Sequence, residues 1–124
     1  MRACALLLAL AVAPGAFADD AKVLSPAEAA KKVDQRVVVE MEVQSTGGNT
    51  NRYLNSEKDY RSDDNFTIFI PGAVLEKFKD AEIEDPAVYY KGKTIRVTGT
   101  VILADEKPQI KIANPEQIKV VEKK

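Results

Sequence analysis

Residues 91–113 read KGKTIRVTGTVILADEKPQIKIA, and the period within this stretch decides the architecture. From Thr94 to Leu103 every second residue is apolar or Gly: Ile95, Val97, Gly99, Val101 and Leu103 share one side, as a half-buried strand requires. Ala104-Asp105-Glu106-Lys107 is a turn, and Pro108 to Ala113 resumes the alternation with Ile110 and Ile112 inward. The two segments form a hairpin. Gly99 stands in the middle of the longer strand, where a sharp bend needs a residue without Cβ.

The same period appears upstream. From Arg36, Val37, Val39, Met41 and Val43 take one face and Val38, Glu40, Glu42 and Gln44 the other. Ser45 to Thr50 reads as a flexible turn, Arg52 to Asn55 as a short second strand, and Ser56 to Asn65 as a polar loop. Asn65 to Ile70 is a third strand, with Phe66, Ile68 and Ile70 set against Thr67 and Phe69. Pro71-Gly72 ends it. Ala73 to Phe78 then has helical spacing, and Ala87 to Tyr90 is a second helical turn after Asp85-Pro86. Near the start, Ser25-Pro26-Ala27-Glu28 is a capping box that opens a short helix running to about Val33. Ile118 to Val121 is a last short strand or an apolar clasp. The fold expected from this order is mainly β: a five-stranded Greek-key barrel of the OB-fold type, with a helix between strands 3 and 4 and a short N-terminal helix. A β-sandwich would want about seven strands and has no use for the helix in mid-chain.

The first residues belong to another process. Met1-Arg2 is a short positive start, Cys4 to Ala13 is an unbroken apolar run, and Ala16-Phe17-Ala18 offers small residues where a signal peptidase cuts. Residues 1–18 are expected to be a signal peptide and residues 19–124 a single domain that is exported, to a periplasm or outside the cell. The apolar run is shorter than the roughly 20 residues that span a bilayer. Removing 18 residues from 124 leaves 106, with 17 basic against 19 acidic groups and neither Cys nor His. Such a domain has no disulfide to staple it and depends on its core.

The stretch from Lys91 to Val121, with SPAEAAKKVDQRVVVEMEV at Ser25 to Val43 and RYLNSEKDYRSDDNFTIFI at Arg52 to Ile70, resembles the OB-fold nucleic-acid-binding-type domains of exported bacterial proteins. The resemblance covers nearly all of the mature chain and implies the fold more than the ligand. Without His or Cys the commonest general base, metal ligand and thiol nucleophile are missing, so a non-catalytic binding module is expected, with no cofactor and no metal. Asp59, Asp63 and Asp64 cluster in one loop, but that loop lacks the Gly and terminal Glu of a calcium loop.

In barrels of this kind the ligand lies across strands 2 and 3. If Leu54, Phe66, Ile68 and Ile70 point inward, alternation sends Tyr53, Asn55, Thr67 and Phe69 outward there, with Arg52, Arg96 and Lys107 as the basic members of the site. Aromatic rings on such a face stack nucleobases, and they also hold sugars or apolar peptide side chains. The blander alternative, in which the helix at Ala73 to Phe78 covers Phe69 and Tyr53 merely packs on it, stays open. Two partners are compatible with these residues: a single-stranded nucleic acid or another extended ligand, or an envelope protein. The acidic balance weighs against a long phosphate backbone. Arg61, Lys91, Lys93 and Lys111 are further candidates for a basic patch, and Asn65-Phe66-Thr67 matches the glycosylation sequon.

Overall fold

The computed structural model describes residues 22–121, and the expected signal peptide lies outside the described residues. The chain enters through β1 (Val23–Leu24), which pairs in parallel with Val38 and Val39. Helix α1 (Pro26–Ala29) starts as its capping box demands: the Glu28 N–H donates to Ser25 Oγ at 3.2 Å, and the Ser25 N–H donates to Glu28 Oε1 at 2.9 Å. That backbone hydrogen bond holds the Glu28 carboxyl below its ordinary pKa. The helix ends sooner than its sequence suggests. Val33 is drawn into a bridge with Val101, and Asp34 follows at φ 69° with its N–H on the Val101 carbonyl, so a tertiary contact stops the helix after little more than one turn.

Strand β2 (Arg36–Glu42) pairs antiparallel with β6 (Thr94–Ala104), setting Val39 against Val97 and Met41 against Ile95. At its end the chain changes partner. Val43 N–H still donates to the Lys93 carbonyl, next to β6, whereas Gln44 N–H donates to the Asn55 carbonyl. Ser45, Thr46 and Gly47 are therefore not a turn but a strand, β3 (Ser45–Gly47), paired with β4 (Arg52–Asn55). Strand β4 pairs antiparallel with β5 (Thr67–Ile70). Strand β7 (Lys107–Lys111) runs parallel to β5 and antiparallel to β6, and β8 (Ile118–Val120) lies against the first half of β6.

The result, among the described residues, is an open mixed sheet of eight strands in the order β1-β2-β6-β7-β5-β4-β3, with β8 on β6. This corrects the expectation of five strands closed as a barrel. The first long strand divides where it changes partner, and β1 and β8 are additions at either end of the described chain. Because β2 and β3 are successive pieces of one strand, the hydrogen-bonded path wraps the core without any ladder closing it.

The core is filled from both periodic faces: Val39, Val43, Leu54, Phe66, Ile68, Ile70, Ile95, Val97, Val101 and Ile110 are fully buried. Each such side chain contributes on the order of 1.5–3 kcal/mol by leaving water. Gly72–Val74 forms a single 3-10 turn and leads into α2 (Leu75–Asp80), which drops Phe78 into the core. The Phe78 ring meets Tyr90 edge-on at 6.4 Å, just past α3 (Pro86–Tyr89). Gly99 serves close packing: a Cβ there would stand 2.5 Å from the Ile110 Cγ2 methyl, which sits too near its own backbone to yield. Leu103 departs from its predicted inward place and is 55% exposed. It pairs with Pro108 near the tip of a hairpin that outruns the core, turned by Asp105 and Glu106 at positive φ. No helix among the described residues is long and apolar enough to cross a membrane.

Candidate ligand-binding face

Three strands build the candidate face. The β4–β5 register sets Tyr53 opposite Phe69, and the β5–β7 register sets Phe69 beside Lys111, while Gly47 of β3 flanks Tyr53. Alternation puts the neighbouring residues Leu54, Ile68, Ile70 and Ile110 in the core, so the row Gly47, Tyr53, Phe69, Lys111 looks out. The two rings lie with centroids 5.3 Å apart, tilted by 34°. Tyr53 is 37% exposed and Phe69 half-buried. Gly48, at φ 104°, lets the β3–β4 turn press its backbone against the Tyr53 ring; a Cβ there would meet the Asn51 carbonyl. The ring thus lies between the β3–β4 turn and Phe69 and stays partly open to solvent.

The adjoining outward row, Ser45, Asn55, Thr67 and Gln109, is not open along its length. Asn55 is 5% exposed, contrary to its expected place on the surface. The loop 56–65 folds back over this end of the sheet and brings Asn65 with it. Asn65 Nδ2 donates to Thr67 Oγ1 at 3.0 Å and to the Tyr60 carbonyl at 3.2 Å and lies 3.3 Å from Asn55 Oδ1, while Thr67 Oγ1 donates to Asn55 Oδ1 at 3.0 Å. Asn55 and Thr67 spend their polar groups on this network, and the sequon amide of Asn65, 3% exposed, is spent there too.

The basic residues do not gather. Arg52 is directed to the side of the sheet that alternates with Tyr53, where its Nε meets Asp85 Oδ1 at 3.0 Å; Asp85 also caps α3 through the Ala87 N–H. Arg96 bonds Glu40 at 2.8 Å on the β2–β6 part of the sheet, where its cross-strand neighbours are Glu40 and Lys119. Lys107 ties the hairpin to the polar loop through the Arg61 carbonyl at 3.3 Å. Arg61 itself pairs with Asp59, whose carboxyl is held below its ordinary pKa by the Arg61 side-chain hydrogen bonds. Lys93 stands over the Tyr89 ring at 3.6 Å. Of the further basic candidates, Lys111 alone shares the row of the two rings. Its place follows from the parallel β5–β7 pairing, which alternation within a single strand does not disclose.

No protein-family model and no curated protein matches the chain. Solved structures do. An aspartyl-tRNA synthetase from Entamoeba histolytica superposes with a TM-score of 0.55 at 14% identity, over 97% of this chain and 24% of that one. A protein described as an aspartyl-tRNA synthetase from Leishmania major Friedlin gives 0.55 at 13%, over 85% and 21%. OBody AM3L09, solved bound to hen egg-white lysozyme, gives 0.55 at 15%, over 82% and 95%. The chain spans a quarter or less of the two synthetases and nearly all of the OBody. At these identities the likeness is one of fold, and the fold it shows is that of OB-fold domains.

Proposed function

We propose that the chain is a non-catalytic binding module that lays a short single-stranded nucleic acid across β4, β5 and β7. The observation that carries this reading is the outward row of Tyr53, Phe69 and Lys111: two rings at stacking distance from each other, beside one cation with no hydrogen bond or ion pair among the described residues. Two of the similar structures belong to proteins named for tRNA, which accords with it. The rest of the surface limits the mode of binding. With Arg52, Arg61 and Arg96 already paired to carboxylates, the face has few cations for a phosphate backbone, so base stacking contributes more than charge.

Titration of the protein with labelled single-stranded DNA and RNA over a range of salt tests this. The log–log salt slope is expected near about −0.7 for each phosphate neutralised, hence shallow for one lysine. Tyr53→Ala is expected to weaken binding by about 5- to 150-fold, the worth of one stacked base. Absence of binding by the wild type at low salt would reject the reading. Interaction with a protein partner is the second reading, favoured by the OBody that shares this fold and is held against lysozyme.

Export belongs to the same proposal and rests on residues 1–18. Protein recovered from cells should begin at Asp19; an N-terminus retaining the apolar run refutes cleavage after Ala18.

A further inference from the structure

Strand β8 has a free edge. The Val121 N–H donates to the Thr94 carbonyl at 2.8 Å, and the register sets Val120 against Ile95 and Lys119 against Arg96. Bonded and non-bonded pairs alternate in an antiparallel ladder, so Val120 falls on a non-bonded pair and turns its N–H and C=O away from β6. The Ile118 carbonyl points the same way, while its N–H is already bonded to the Pro115 carbonyl at the end of the 3-10 turn Pro115–Gln117. Among the described residues only β6 pairs with β8. Three main-chain groups are therefore open: two acceptors and one donor, at the spacing of a strand.

Beside that edge lies a cleft of about 620 Å³, whose lining includes Ile118 and Val120 of β8 together with Ile83 and Tyr90. Tyr90 is 2% exposed, and its phenol has no hydrogen-bond partner among the described residues, an arrangement that costs stability unless something supplies an acceptor. Burial, with the Tyr89 phenol nearby, pushes its pKa up to about 12, so it stays a donor throughout the physiological range. Asp80 and Glu116 also line the cleft, both exposed and in no ion pair among the described residues. The cation there, Lys77, is directed to the Ala113 carbonyl and Asn114 Oδ1, which are neutral. The cleft thus combines an apolar floor, an unused buried donor, a strand edge and a small excess of negative charge.

We propose that this cleft and the β8 edge take an extended peptide segment of a partner protein, in which an apolar side chain has a basic one two positions away, on the same side of the strand. The peptide adds as a strand to Ile118–Val120, seats its apolar side chain on Ile83 and Ile118, and places a basic side chain beside Asp80 and Glu116. The Tyr90 phenol donates to one of its carbonyls. This site is separate from the Tyr53–Phe69 row, and neither depends on the other.

The test is a titration of the ¹⁵N-labelled protein with the capped pentapeptide Lys-Thr-Val-Thr-Lys, and with Glu-Thr-Val-Thr-Glu, in which the charged and apolar side chains share one side of the strand. The basic peptide is expected to shift the amides of Ile118 to Val121, Ile83 and Tyr90, and to bind at least about tenfold more tightly than the acidic one. Tyr90→Phe should weaken it by about 2- to 12-fold, the worth of one neutral hydrogen bond, with no fall in Tm because a buried unpaired hydroxyl is removed. Val120→Pro removes the free N–H without taking a bond from the β6 ladder and should abolish binding; should that variant unfold, Tyr90→Phe decides. No shift at millimolar peptide, equal affinity for both peptides, shifts confined to the Tyr53–Phe69 row, or self-association through β8 in place of peptide binding would each overturn the proposal.

Discussion

Phe66→Ala is expected to lower the unfolding free energy by about 3–5 kcal/mol, the range for deleting a buried aromatic ring. Domains of ordinary stability have about 5–15 kcal/mol in all, so the variant should lie close to its unfolding threshold. The ring is fully buried and follows directly on the polar loop. Its backbone is fastened at both groups by one residue across the sheet: the Phe66 N–H donates to Ser56 Oγ at 2.8 Å, and the Ser56 N–H donates to the Phe66 carbonyl at 3.1 Å. With the backbone fixed there and rigid strands around it, the site has little freedom to collapse into the space the ring leaves. Urea melts of wild type, Phe66→Ala and Phe66→Leu provide the measurement. The midpoint should fall with an unchanged slope, and Leu should recover more than half the loss. A loss below about 1 kcal/mol for Ala would mean that the surroundings close over the cavity and that the ring does not anchor the core.

Asn65→Ala is expected to cost about 2–4 kcal/mol, because buried polar groups lose partners at both ends of one amide. The side-chain carbonyl accepts the Glu57 N–H at 3.1 Å, and the amide nitrogen serves Thr67 and the Tyr60 carbonyl while lying close to Asn55. Asn55 Oδ1 would keep only the Thr67 hydroxyl, and the half-buried Glu57 N–H would have to find water. The effect should be local as well as global. Hydrogen exchange at residues 56–64 should quicken more than in the β2–β6 ladder, since that loop has no regular structure of its own and is held down by this side chain. Equal acceleration in both regions would show that Asn65 supports the core at large and not the loop.

Much of the framework can be read from short-range pattern. The inward positions Phe66, Ile68 and Ile70, and likewise Ile95, Val97 and Val101, are buried as alternation requires, and Gly99 sits where no Cβ fits. Helix α1 begins at its capping box. The outward side of Tyr53 and of Phe69 also follows from period, which is why the two rings were legible as candidates, whereas their meeting across β4 and β5 is a matter of register. The basic members of the site were not. Arg52 is paired with a carboxylate 33 positions away, Arg96 with one 56 positions away, and Lys107 with a carbonyl 46 positions away. Asn55 alternates outward as expected, yet is covered by a loop whose path the local pattern does not encode.

The amino-acid order alone determined which side of each strand is apolar, where α1 starts and where the chain must turn, because these depend on residues within a few positions of one another. Tertiary structure decided the rest: the change of partner between Val43 and Gln44, the parallel pairing that sets Lys111 beside Phe69, and the burial of Asn55 under the loop. Each of these is a competition among distant donors, acceptors and charges for the same partners. Its outcome depends on which segments meet in space, and a period of two is silent on that.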